Sequence, residues 1–127
     1  MIYVCSVYSQ LAKGYSPEAK TLRQQRFEYV GDRIAGWMND GLKVYSPICH
    51  CHELANRNSL PKDYTFWQEF DRHMIDVAEE VFVLKMPLWE DSTGITDEVK
   101  YAKSTGKKVT YFEVDDYEED PALWVTV

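Results

Sequence analysis

Short apolar segments alternate with helical patterns along the chain, and this alternation constrains the fold more than any other feature. The clearest segment is EVFVLKM, residues 80–86, which is apolar on both faces, as a central strand of a parallel sheet is. Similar runs, rich in β-branched and aromatic residues, occupy residues 1–8, 42–47 and 107–114. The sequence therefore predicts four strands of one sheet.

Helical patterns fill much of the sequence between these runs. Ser16 and the proline after it are an N-cap and a first helical position, and the three- and four-residue spacing of apolar side chains continues over residues 17–39. The same spacing predicts helices over about 60–79 and 95–104. Residues 48–62 show no clear period, so we expect an irregular loop there.

Strands that alternate with helices predict right-handed crossovers and a parallel sheet covered on both sides. The expected fold class is α/β, a single-domain Rossmann- or flavodoxin-like three-layer sandwich with a parallel sheet of four to five strands. The fifth strand would be PALWVTV, residues 121–127. We expect one domain over residues 1–127, with an acidic C-terminal tail at 113–127. Ligands bind such sheets beyond the carboxyl ends of the strands.

Charge and composition narrow the classes of partner. The formal charge is −7, and residues 87–127 carry 4 Lys and Arg against 10 Asp and Glu. Without a basic stripe the chain does not suit a nucleic acid polymer, although a local cluster of N–H donors can still hold a small anion. The absence of an apolar run of roughly 18 residues predicts no membrane partner. Three cysteines and the absence of signal-peptide features predict a cytoplasmic protein.

The run CHCH, residues 49–52, combines metal-ligating side chains without the spacing of a zinc site. Zinc ligands converge tetrahedrally, usually as two separated pairs. In an extended loop, Cys49 and Cys51 would point to one side and His50 and His52 to the other. We therefore expect no metal and assign the run to a loop beside the ligand site. A Cys–His nucleophilic pair is an alternative, but no third group that would orient it is identifiable.

The segment WEDSTGITDEVKYA, residues 89–102, collects hydroxyl groups and carboxylates at the start of a helix. Ser92 and Gly94 lie at a strand-to-helix turn, where free N–H groups and the helix dipole can bind a phosphate or a sugar hydroxyl. We expect Glu98 within about the first turn, where the dipole favours the ionised form that a nucleophile needs. Asp97 is expected to be solvated. Helix capping with an acidic first turn explains the same residues without chemistry.

These residues resemble a known family. The chain is similar over most of residues 1–112 to the nucleoside 2-deoxyribosyltransferase-like superfamily, in particular to a small branch with a tryptophan-rich central motif. The similarity is carried by YVCSVYS, GLKVYSPI, FWQEFDRHMIDVAEEVFVL and GKKVTYF. Its most specific element is the spacing W-x-x-S-x-G-x-x-x-E-x-x-x-A within residues 89–102.

The resemblance implies roles for individual residues. In that superfamily a glutamate on the helix after the third strand attacks the anomeric carbon of a nucleoside or nucleotide, and its motif position falls on Glu98. The superfamily also has an aspartate near the sugar and the departing base, and its motif position corresponds to Asp71. Alternatively, Asp71 is simply an exposed carboxylate on an amphipathic helix. Residues of the first loop, Ser6, Tyr8 and Ser9, would line the pocket, or serve structure alone.

The position six residues before the glutamate distinguishes two branches of the superfamily. Transferases tend to have an aspartate there, whereas hydrolases of deoxynucleoside monophosphates have a serine, and this chain has Ser92. A hydroxyl at a helix N-terminus tolerates a dianion that a carboxylate would repel. The resemblance thus favours an N-glycosidase that cleaves a nucleoside 5′-monophosphate through a covalent glycosyl-Glu98 intermediate. Arg72, Arg26 and Lys85 are candidate contacts to the phosphate.

Other hypotheses remain open at this point. The chain could be a nucleoside 2-deoxyribosyltransferase that moves the sugar between bases. It could also be a non-catalytic nucleotide-binding sensor or sponge, or an interaction module whose tail joins subunits. The glycosidase mechanism requires no metal or redox cofactor. The resemblance further implies a homo-oligomer with its pockets near a subunit interface.

Overall fold

Strands and helices alternate in the structure as the sequence predicts, except that two helices instead of one lie between the second and third strands. The computed structural model of the protein describes residues 1–10, 12–61 and 64–114. Its elements in chain order are β1 (Ile2–Cys5), α1 (Pro17–Asn39), β2 (Val44–Tyr45), α2 (Pro47–Asn58), α3 (Tyr64–Val77), β3 (Glu80–Leu84), α4 (Thr93–Ser104) and β4 (Lys108–Phe112). A short 3₁₀ turn, Trp89–Asp91, connects β3 to α4.

The four strands form one all-parallel sheet in the order β2-β1-β3-β4. This order and the crossover helices confirm the predicted single-domain α/β fold of the Rossmann- or flavodoxin-like class. The chain first leaves β1 for the edge strand β2 and then returns past β1 to β3. The strand order therefore reverses between β1 and β3, which is the place where ligands bind in sheets of this class.

The core lies between this sheet and the helices packed on it. The strands β1 and β3 contribute fully buried side chains such as Val4 and Leu84. Trp37 of α1 packs edge-on against Phe82 and Phe112, with ring centroids 5.1 and 5.2 Å apart. All helices of the described ranges carry polar faces, and none is both long and apolar enough for a bilayer span.

Residues 47–58 form helix α2, so the predicted irregular loop at 48–62 is wrong for most of its length. The local signal is the one that starts α1: Ser46 accepts a hydrogen bond from the Cys49 N–H at 3.2 Å, and Pro47 takes the first helical position. The helix ends at Ser59, which has the left-handed φ of 54°. Pro47 thus both ends the strand region and opens a helix.

The predicted fifth strand, residues 121–127, lies outside the described residues. The same holds for most of the predicted acidic tail, of which only 113 and 114 are described. Residues 113 and 114 follow β4 directly, and the side chain of Val114 is buried in the core.

Candidate active site

A cavity opens at the carboxyl edge of the sheet, between the first loop, α2, the start of α3 and the N-terminus of α4. Its volume is about 130 Å³. That is below the roughly 300 Å³ at which sites for complete ligands begin, so a nucleotide would extend through the mouth. The structure brings together in its lining all seven residues predicted as site residues: Ser6, Tyr8, Ser9, Asp71, Ser92, Gly94 and Glu98.

Glu98 reaches the cavity from the sixth position of α4, and only 5% of it is exposed. The Tyr3 hydroxyl donates a hydrogen bond to Glu98 Oε2 at 2.8 Å. Burial raises the pKa of Glu98 well above its ordinary value, and the negative charge of Asp71 raises it further, while the Tyr3 hydrogen bond lowers it. Burial thus opposes the ionised form that we expected the helix dipole to favour, and the Tyr3 hydrogen bond is the interaction that supports the anion.

Asp71 approaches the cavity from α3 and is 4% exposed. Burial raises the pKa of Asp71 to about 7, although the nearby Tyr3 hydroxyl opposes the shift. Its Oδ1 has no hydrogen-bond partner among the described residues. Because Asp71 and Glu98 interact electrostatically, the two carboxyl groups ionise as a coupled pair, and one of them retains a proton near neutral pH.

Tyr3 is a site residue that the sequence interpretation missed. It lies in β1, where its ring is fully buried and reads as an ordinary core residue. Its hydroxyl could have indicated this role, since a buried tyrosine hydroxyl usually has a hydrogen-bond partner. That partner, Glu98, lies 95 positions later in the chain.

The N-terminus of α4 forms another wall of the cavity. Ser92 is the N-cap, and its Oγ accepts a hydrogen bond from the Ile95 N–H at 3.2 Å, which leaves the hydroxyl proton for a ligand. The ring of Tyr64 lies against Gly94 so closely that a Cβ at that glycine would be 3.3 Å from Tyr64 Cδ1. Gly94 therefore allows an aromatic side chain to cover the first turn of the helix.

The first loop presents Tyr8 from the opposite wall. Tyr8 Oη lies 2.5 Å from Nδ1 of His52, which is itself buried in α2. The His52 ring stacks on Phe27, and its Nε2 is 2.8 Å from Gln24 Oε1. Side chains of α1 and α2 thus fix the position of the Tyr8 hydroxyl. His52 and Cys51 also line the cavity, so the CHCH run lies beside the candidate site as the sequence predicts, although on a helix rather than in a loop.

A family model for a domain of unknown function, DUF1937, matches residues 1–114. The chain belongs to the DUF1937 family. The matched range includes every strand and helix found among the described residues, together with the residues that line the cavity. No curated protein matches the chain.

The three predicted phosphate contacts do not line the cavity of this DUF1937 domain. Arg26 is buried beneath the first loop and donates from Nη1 to the backbone carbonyls of residues 8 and 10. Arg72 pairs with Asp97, and Lys85 pairs with Glu113. These predictions are wrong because sequence does not show which cations already have anionic or carbonyl partners. Instead Lys13, in the first loop, lines the cavity.

Asp97 is not merely solvated, in contrast to the expectation from sequence. It accepts hydrogen bonds from Tyr64, Gln68 and Arg72, all on α3. Partial burial favours the neutral form, but these hydrogen bonds outweigh it, so the pKa of Asp97 is lowered. Asp97 is therefore an ionised bridge between α3 and α4.

The cysteines and histidines of the DUF1937 domain are not arranged for metal binding. Residues 49–52 lie on helix α2 rather than in an extended loop, so consecutive side chains point about 100° apart and diverge. Within the described ranges no three His, Cys, Asp or Glu side chains gather as metal ligands would. Burial raises the pKa of Cys51, which lines the cavity, to about 11, so the thiol is neutral and a poor nucleophile.

Proposed function

We propose that this DUF1937 domain is an N-glycosidase that cleaves the base–sugar bond of a nucleoside 5′-monophosphate through a covalent glycosyl-Glu98 intermediate. The observation that carries the proposal is a pair of buried carboxyl groups, Glu98 and Asp71, in one small cavity at the ligand-binding edge of the sheet. Their environments separate their roles. The Tyr3 hydroxyl donates to Glu98 Oε2 and favours its anion, whereas Asp71 Oδ1 accepts no hydrogen bond among the described residues, and the same hydroxyl offsets the raised pKa of Asp71 only in part.

In the first step, ionised Glu98 attacks C1′ of the sugar through an oxocarbenium-like transition state. The bond from C1′ to the carboxylate oxygen forms while the C1′–N bond breaks, and its electron pair leaves with the base. Protonated Asp71 delivers its proton to that nitrogen. A pKa of about 7 suits this task, since the group is protonated at neutral pH yet releases its proton readily.

In the second step, water attacks the glycosyl ester. Asp71, now a carboxylate, accepts a proton from that water, and the sugar phosphate leaves as Glu98 is regenerated. If a second base takes the place of water, the same intermediate leads to sugar transfer. The transferase alternative therefore differs only in the acceptor.

The preference for a monophosphate is supported by the groups at the mouth of the cavity. The Ser92 hydroxyl and the N-terminus of α4 can donate hydrogen bonds to a phosphate, and Lys13 adds a positive charge to the lining. These donors could hold one phosphate locally although the net charge of the chain is −7. Because the cavity of about 130 Å³ is too small for a complete nucleotide, we expect the sugar beside the two carboxyl groups and the phosphate or the base near the mouth.

The test is release of free base from a panel of ribo- and deoxyribonucleoside monophosphates, followed by chromatography. Glu98→Gln should lower the rate by more than about 10³-fold, because loss of a nucleophile removes the covalent route. The matched control is Glu90→Gln, which neutralises an exposed carboxylate of the same segment that lies outside the cavity lining. We expect the control to keep the rate of the unaltered protein.

Each contrary outcome identifies a different alternative. Undiminished base release by Glu98→Gln would reject this residue as the nucleophile. Binding of nucleotides without any base release would favour the sensor, and a new nucleoside formed on addition of a second base would favour the transferase.

A further inference from the structure

Side chains at four-residue intervals on two helices form a polar contact beside the cavity. On α3 these are Tyr64, Gln68, Arg72 and Asp76, and on α4 they are Asp97 and Tyr101. Residues four apart lie on the same face of a helix, so each set forms one ridge. We call the six residues together the α3–α4 seam.

Asp97 is the centre of the seam. Arg72 Nη2 donates to Asp97 Oδ1 at 2.9 Å and lies 3.1 Å from Oδ2. Tyr64 and Gln68 donate to the same Oδ2 at 2.8 and 3.2 Å. Donors from three successive turns of α3 therefore converge on one carboxylate of α4.

Arg72 extends the contact along α4. Its guanidinium lies over the ring of Tyr101, 5.1 Å from the centroid, and the Tyr101 hydroxyl donates to Asp76 Oδ1 at 2.7 Å. The planar group thus bridges a carboxylate and an aromatic face at once, which a lysine ammonium cannot do with the same geometry.

The seam is adjacent in sequence to both carboxyl groups of the proposed reaction. Asp71 precedes Arg72 on α3, and Glu98 follows Asp97 on α4. Because the backbone of a helix is rigid over one residue, a change in the position of the pair moves the two carboxyl groups relative to each other.

We propose that Arg72 and Asp97 are a positioning pair that holds α3 and α4 at the separation at which Asp71 and Glu98 act on one sugar. The inference rests on the proposed function. The side chains of Arg72 and Asp97 are 39% and 26% exposed, and pairs this accessible contribute little to stability. Three converging donors do, however, specify one rotation and one register of the helices. We therefore attribute to the pair a role in positioning the two helices rather than a role in stability.

The distance between Asp71 and Glu98 has an observable consequence, because each charge disfavours ionisation of the other. Titration of the pair therefore reports its geometry. Within the part of the chain that the structure describes, six other titratable groups interact electrostatically with these two carboxyl groups: Tyr3, Cys5, Tyr45, Cys51, Tyr64 and Asp97.

The experiment uses two variants that preserve every charge and change only the geometry, Arg72→Lys and Asp97→Glu. Carboxyl carbon NMR follows the titration of Asp71 and Glu98 in the full chain without ligand. Steady-state kinetics use the nucleoside monophosphate that the unaltered protein cleaves fastest. The control is Glu113→Asp, which shortens one partner of the Lys85–Glu113 pair, whose atoms lie 2.6 Å apart outside the seam.

We expect both seam variants to remain folded and to lower kcat by about tenfold or more with little change in KM, since small misplacements of reacting groups are costly. The higher of the two carboxyl titration midpoints should move down by about half a pH unit as the groups separate. Glu113→Asp should change neither quantity.

Unchanged titration midpoints in both folded seam variants would overturn the inference, whatever their activity. Because the titration needs no substrate, it decides the role of the seam even if the unaltered protein releases no base. Failure of the proposed function is recognised separately, by equal rates of Glu98→Gln and the unaltered protein.

Discussion

The Tyr3 hydroxyl donates its hydrogen bond to Glu98 from a ring that is itself fully buried. The Tyr3→Phe substitution removes this hydrogen bond, which stabilises the anionic form of Glu98, so the pKa of Glu98 rises further. If Glu98 must be ionised to attack, the acidic limb of the profile of kcat/KM against pH moves to higher pH. We expect a loss of about tenfold at pH 6.5, consistent with the typical worth of a hydrogen bond to a charged group.

A matched control for this change is Tyr45→Phe. The Tyr45 hydroxyl is also buried, but it has no hydrogen-bond partner among the described residues. Its removal should leave the pH profile in place. Equal profiles for the two variants would show that Tyr3 does not support ionisation of Glu98.

How far sequence predicts single residues depends on whether their role is local. Glu98, Ser92 and Gly94 share one motif, so their spacing alone brought them together correctly in the cavity. Tyr3 was missed because its partner is remote in sequence. The prediction that Arg72 contacts phosphate was wrong for the related reason that its anionic partner lies on another helix.

The start of α4 depends on Gly94 at the scale of the element. A Cβ there would lie 3.3 Å from the Tyr64 ring, so Gly94→Ala requires the ring to move by a few tenths of an ångström. Because Tyr64 lines the cavity and donates to Asp97, we expect KM for a nucleoside monophosphate to rise several-fold, by up to about tenfold, as contacts in the cavity are lost.

Gly36→Ala is the matched control for this prediction. Gly36 lies in α1, where an added Cβ meets no atom within 4 Å. That variant should keep the KM of the unaltered protein and gain roughly 0.5–1 kcal/mol of stability from helix propensity. If Gly94→Ala also keeps KM, the contact with Tyr64 does not shape the cavity.

The helices also show why some elements were predictable and one was not. In α1, the serine–proline start signal is followed by a long apolar period, and the prediction of residues 17–39 matches the structure. In α2, the same signal at Ser46 and Pro47 is followed by CHCH, whose side chains were interpreted as loop chemistry. Local capping was the more reliable signal there.

The stability of the whole molecule should depend on pH through its two buried acids. The pKa of Asp71 is about 7 in the folded state, whereas an unfolded aspartate titrates near 4. The folded state therefore binds more protons between these values, and the free energy of unfolding falls as pH rises from about 4 to 7. A difference of about three pH units corresponds to at most about 4 kcal/mol.

Asp71→Asn should remove this contribution, so urea unfolding between pH 4.5 and 8 should give a flatter dependence and a more stable protein at pH 8. Asp32→Asn, at an exposed position of α1, is the control and should keep the original slope. An unchanged slope in Asp71→Asn would mean that this carboxyl group is not shifted in the folded protein.

The buried pair of Asp71 and Glu98 has a consequence for natural variation. Two acids that weaken the fold at neutral pH are expected to persist only where function requires them, since an amide of the same shape at either position removes the cost of burying a charge. We expect a lineage that does not use the cavity to lose one or both of them. Within the DUF1937 family, sequences that keep both acids can thus be distinguished from sequences that have lost the pair and keep only the fold.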